Sequence, residues 1–201
     1  MNIAPTPFLT DENDELDDIL PARTIDSMYA GGWPTAWSRD LRNEVRPGLW
    51  IGGLDAARAV NARTYDLIVN LSGVSVPAPL AMTAPTIVNW PISDSAQLPD
   101  LARLWSIAKL AATTIRRGRG HGRTQRTSVL IHCAAGINRS ALLTACVVML
   151  LDKCDGTAAI RAVRTARQGT LENRHFAEYV AAQLPPGQKP RKPRRPRRNQ
   201  P

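Results

Sequence analysis

The chain has 201 residues, 43% of them hydrophobic and 21% charged, which suits one ordinary domain with tails and is too short for two full-sized ones. Its formal net charge of +9 is concentrated in the tail residues Lys189, Arg191, Lys192, Arg194, Arg195, Arg197 and Arg198; subtracting these seven leaves about +2 for everything else. The first residues lack a basic start followed by an apolar run, and the longest apolar stretch, 141–151, is too short to cross a bilayer, so a non-exported, cytoplasmic protein is expected, with the nucleus as the alternative in a eukaryote. Cys133, Cys146 and Cys154 are odd in number and show no zinc-type pairing, so neither a disulfide framework nor a metal site is expected.

In chain order, 1–40 is an acidic arm carrying Asp11, Glu12, Asp14, Glu15, Asp17 and Asp18, then Gly, Pro and Trp; Trp33 and Trp37 are expected to pack on the domain. From 41 to 185, apolar runs of strand length alternate with helical periodicity. Strands are expected over 45–51, 67–71, 86–91 and 128–132, and helices over 54–61, 98–116, 140–152, 157–167 and 172–183. Such alternation predicts an α/β fold with a largely parallel central sheet flanked by helices, whose ligands sit at the C-terminal ends of the strands. Residues 186–201 are basic and Pro-rich and read as a flexible, extended tail. Such a tail suits RNA or another polyanion, held through counterion release; a purely solubilising appendage is the plain alternative.

The chemistry is concentrated in 128–140, SVLIHCAAGINRS, ahead of an apolar helix. A strand ends in Cys133, a short loop runs to Arg139, and Ser140 opens a helix. The helix N-terminus and the amides of Ala134, Ala135, Gly136, Ile137, Asn138 and Arg139 offer N–H donors aimed at one point. That field favours the thiolate form of Cys133 and binds a phosphate dianion. Gly136 permits the turn. Arg139 supplies a planar fork for two phosphoryl oxygens, Ser140 a hydroxyl for the sulfur, and His132 an imidazole that orients the loop from the opposite strand face. Cys-x5-Arg alone is a weak signal; the flanking His, Gly, Ser, strand and helix make it specific. Cys146 and Cys154 lack the partner Arg; Cys146 reads as a core residue and Cys154 as a helix-end residue, and His121 and His175 show no pattern that assigns them a role.

The pattern His132-Cys133-x-x-Gly136-x-x-Arg139-Ser140 resembles the signature loop of protein tyrosine and dual-specificity phosphatases. The stretch VRPGLWIGG at 45–53 is similar to the first strand of the dual-specificity branch, and LENRHF at 171–176 to the Asn…Phe segment near that domain's end. The resemblance implies a phosphatase-like fold, a cysteinyl-phosphate intermediate, no cofactor and a phosphoprotein substrate carrying phosphotyrosine, phosphoserine or phosphothreonine. It also implies a general acid on an upstream loop, for which Asp94 in Pro91-Ile-Ser-Asp-Ser95 is the candidate. Asp100 is second, because it stands where a helix would start. The segment 118–127 reads as an inserted basic loop, roughly 17 Å from Cys133 at the far end of the strand.

Two other readings remain. Gly136-Ile-Asn-Arg139 is similar to the loop of RNA 5′-triphosphatases of the same superfamily, although Ala134-Ala135 departs from that branch. An inactive phosphate-binding module is the second. Phosphoinositide phosphatases fit less well, since the loop has no lysine.

Overall fold

The computed structural model describes residues 42–59, 65–75, 86–119 and 127–188. The acidic arm, Trp33 and Trp37, the loop 120–126 with His121, and the basic tail from 189 onward lie outside them. The described elements are β1 (Arg42–Arg46), β2 (Leu49–Gly52), α1 (Leu54–Ala59), β3 (Leu67–Asn70), β4 (Thr86–Asn89), α2 (Leu101–Arg119), β5 (Val129–His132), α3 (Arg139–Asp152), α4 (Gly156–Ala166) and α5 (Arg174–Ala181).

The strands form a five-stranded sheet in the order β1-β2-β5-β3-β4. Four of them are parallel, and β1 closes one edge antiparallel to β2. The α/β fold with a largely parallel sheet is therefore the observed one. One strand differs from expectation: 45–51 is a hairpin, because Pro47-Gly48 turns the chain and Gly48 adopts φ +86°. A Cβ there would lie 2.4 Å from the Thr127 carbonyl oxygen, so both the turn and the close approach require glycine. The long helix is shifted as well, starting at Leu101 and running through Gly118. Asp100 ends the preceding loop, its carboxylate accepting from the Arg103 amide at 3.1 Å.

Side chains alternate across the sheet. Leu49, Ile51, Leu67, Val69, Val129 and Ile131 face the main core, while Ile68 and Leu130 meet Ala57 and Tyr65 on the α1 side. The main core is built around α3, whose residues from Ser140 to Met149 are all buried. This is why its sequence is apolar all round: α2 and α4 pack on its flanks and the sheet lies beneath it. Each fully buried Leu there contributes about 1.5–3 kcal/mol relative to exposure. Trp50, Trp90 and Trp105 pack within or against the domain; Trp105 Nε1 also donates to the Tyr179 hydroxyl at 2.8 Å. Cys146 is buried in α3, and burial pushes its thiol up to about 12. No described helix is long and apolar enough to cross a membrane.

Candidate active site

The parallel strands β5 and β3 end side by side, His132 opposite Asn70 and Gly52, and the chain leaves β5 directly into Cys133. The following loop turns its carbonyls outward, where neighbouring elements hold them. The Ala134 oxygen accepts from the Leu54 amide at 2.9 Å, Gly136 from Arg167 Nε at 2.9 Å, Ile137 from the Leu171 amide at 3.1 Å and Asn138 from the Leu142 amide at 2.8 Å. With the oxygens so engaged, the amides of the loop are left to face its interior. The Gly136 N–H reaches the Cys133 sulfur at 3.2 Å. Gly136 itself adopts φ +75°, and an added Cβ would lie 2.6 Å from the Gly52 carbonyl carbon, so glycine is required on both counts.

Cys133 is 1% exposed, and its sulfur lies 3.3 Å from the Ser140 hydroxyl, within reach of a hydrogen bond. Arg139 spans the ends of β3 and of the segment after β4. Its Nη1 lies 3.4 Å from the Leu71 and Ile92 carbonyl oxygens, while its buried Nε has no partner among the described residues. A buried guanidinium N–H of this kind is a donor suited to a phosphoryl oxygen.

Asp94 is brought to the same loop although it stands 44 residues from Asn138 in sequence. Its Oδ2 accepts from Asn138 Nδ2 at 3.0 Å, and its Oδ1 from Asn173 Nδ2 at 2.9 Å. Asp100 is instead engaged at the start of α2. His132 points to the face opposite the main core and is fully buried, with neither ring nitrogen making a hydrogen bond of normal geometry. Burial holds its imidazole neutral, at about 4, with the Cys133 backbone acting weakly in the other direction. Of the loop-orienting hydrogen bonds expected of His132, the described residues show only an approach to the Cys133 backbone. The carbonyl contacts to Leu54, Arg167 and Leu171 do that orienting.

Three participants carried no individual signal in the sequence. Arg167 is one basic residue among 26, and Leu171 adopts φ +57° without being glycine. Asn173 lies in the Asn…Phe segment, but its reach to Asp94 depends on the tertiary fold.

Residues 114–183 match the family model "Dual specificity phosphatase, catalytic domain". Over those residues the chain is similar to the catalytic domain of dual-specificity phosphatases. That match spans the Cys133–Arg139 loop, α3, α4 and α5, and the enzyme class it indicates is a cysteine-dependent phosphatase. The fold agrees over a wider span. The crystal structure of human DUSP28 is similar with a TM-score of 0.57 and 23% identity, over 70% of this chain and 90% of that one. A mouse putative dual specificity phosphatase, solved in complex with zinc tungstate, gives 0.58 and 23% over 75% and 89%. PTPMT1 in complex with PI(5)P gives 0.54 and 17% over 71% and 98%. No curated protein sequence matches the chain.

Proposed function

We propose that the protein hydrolyses phosphomonoesters of phosphoprotein, taking phosphotyrosine and phosphoserine or phosphothreonine. The catalytic domain is 41–185, flanked by the arm 1–40 and the tail 186–201. The observation that carries the reading is the meeting of Asp94 with the Cys133–Arg139 loop through Asn138. In the first step the Cys133 thiolate attacks phosphorus, the P–O bond to the leaving group breaks, and Asp94 gives that oxygen its proton. The amides from Ala134 to Arg139 and the Arg139 fork take up the charge spread over the equatorial oxygens. In the second step Asp94 accepts a proton from water, which attacks phosphorus; the P–S bond breaks and Ser140 donates to the departing sulfur.

The presence of a held carboxylate favours an alkoxide or phenolate leaving group over pyrophosphate, which departs without protonation. PTPMT1 was solved with a phosphoinositide, yet the loop here has no lysine for further ring phosphates, which supports phosphoprotein instead. The basic residues from Lys189 to Arg198 are assigned to RNA or another polyanion, and the protein to the cytoplasm.

Kinetics of Asp94→Asn test the reading. Turnover of a phosphopeptide should fall by about 10²- to 10⁴-fold. Wild-type activity confined to a 5′-triphosphorylated RNA and indifferent to the change would establish the RNA phosphatase instead, and wild-type binding of phosphate without turnover of either would make it the inactive module.

A further inference from the structure

Asn138 stands at the N-cap of α3, where an Asn side chain ordinarily accepts from the second or third amide of its helix and stabilises it by about 1 kcal/mol. Here it makes no such bond, although it is buried at 4% exposure. Its Oδ1 accepts from the Asn173 backbone N–H at 2.9 Å, and its Nδ2 donates to Asp94 Oδ2 at 3.0 Å. The amide orientation follows from its partners: a backbone N–H must meet oxygen, so the nitrogen is the atom left for Asp94. Two consequences meet at one residue. The first amides of α3 are kept clear of a side-chain oxygen that would compete with phosphate for them. The acid-bearing segment is also tied to the residue next to Arg139.

Asn173 completes the arrangement from the other side. Its Oδ1 accepts from the His175 and Phe176 amides at the start of α5, and its Nδ2 donates to Asp94 Oδ1 and the Ser95 carbonyl, both at 2.9 Å. Each carboxylate oxygen of Asp94 thus has its own amide, and each amide is anchored by backbone donors. An exposed loop carboxylate would otherwise sample many rotamers.

We infer that Asn138 acts through its side chain as a positioning residue, which sets the Asp94 carboxyl against the leaving-group oxygen while the side chain itself makes no contact with the phosphoryl group. The inference rests on Asp94 being the general acid. It assigns the loop residue before Arg139 a side-chain role in acid catalysis that its backbone amide does not supply. Misplacing a catalytic group by about 1 Å costs up to about 10²-fold, so loss of the tether should appear as loss of acid catalysis alone.

Aryl phosphates of graded leaving-group basicity separate this from a structural role, measured for wild type, Asn138→Ala, Asn138→Ser, Asp94→Asn and the Asn138→Ala/Asp94→Asn double variant. Orthovanadate inhibition reports whether the loop of each is intact. With vanadate affinity within about threefold of wild type, both Asn138 variants should lose about tenfold to a hundredfold on phenyl phosphate, little on an ester with a strongly acidic phenol, and nothing further in the Asp94→Asn background. The inference is overturned if the loss is equal across leaving groups, if vanadate affinity falls with it, or if it persists in the double variant while Asp94→Asn alone shows the steep dependence. A flat dependence in Asp94→Asn itself would remove Asp94 as the acid and this role of Asn138 with it.

Discussion

Arg167 Nε donates to the Gly136 carbonyl oxygen at 2.9 Å, across 31 residues of sequence. The bond fixes which way the Ala135–Ile137 peptides face, because a carbonyl held outward leaves its neighbouring N–H directed inward. Arg167 Nη1 also reaches Asn43 Oδ1 at 2.6 Å, so the Cys133–Arg139 loop is braced against β1 through a single side chain. A hydrogen bond to a charged donor is worth about 1.5–3 kcal/mol. Arg167→Met should therefore weaken orthovanadate inhibition by about tenfold or more, with KM for a small aryl phosphate rising in parallel. Unchanged vanadate affinity would show that the loop holds its shape without this contact.

Chemistry at the loop itself is tested by Cys133→Ser and Arg139→Lys. A hydroxyl fits the space of the thiol but is scarcely ionised near neutral pH, so Cys133→Ser should lose turnover to background while still binding a phosphopeptide. Lys brings charge without the planar fork, and loss of one preorganised donor commonly costs about 10²- to 10³-fold in kcat. Near-normal activity in either variant, measured by steady-state release of phosphate, would refute the mechanism.

How much of this was legible beforehand depends on the range of the interactions involved. Continuous apolar runs of strand and helix length place β3, β5 and α3 within a residue or two, since burial on both sheet faces and around α3 writes itself directly into local hydrophobicity. The β1–β2 hairpin was missed because Val45, Leu49 and Ile51 read as one apolar run, even though Pro47-Gly48 is a turn pair. The start of α2 moved to Leu101 because Asp100 caps it. The loop from Cys133 to Ser140 was readable because its donors are contiguous in sequence. Its supports are not: Arg167, Leu171 and Asn173 reach it from beyond α3, and side-chain or backbone polar groups at those distances carry no periodicity.

The cysteines should separate chemically. Burial pushes Cys146 up to about 12, and burial together with the neighbouring Asp152 and Asp155 carboxylates raises Cys154. Neither thiol is then appreciably ionised at neutral pH; Cys133 differs in its surroundings, accepting a hydrogen bond from the Gly136 amide in the loop proposed to bind the phosphoryl group. Iodoacetate, itself an anion, should alkylate Cys133 first, and inorganic phosphate should slow that reaction without affecting the others. Peptide mass mapping checks this. Earlier modification of Cys154, or no protection by phosphate, would count against the loop as an anion site.

His132 links the site to stability through pH. It is 0% exposed, and burial lowers its imidazole from 6.5 to about 4. Between those values the unfolded chain takes up a proton that the folded chain does not, so stability rises with pH across this window; its contribution is complete above 6.5 and lost progressively down to about 4. The difference from 6.5 to about 4 corresponds to roughly 3 kcal/mol in full, of which about 2 kcal/mol is lost on going from pH 7 to pH 5. Urea unfolding of wild type and His132→Asn at the two pH values isolates this contribution, because the variant's own packing defect is common to both. Wild type should lose about 2 kcal/mol more than the variant on acidification. Equal losses, or His132 ring carbons that titrate near pH 6.5 by NMR in the folded protein, would show that the imidazole is not held neutral by burial.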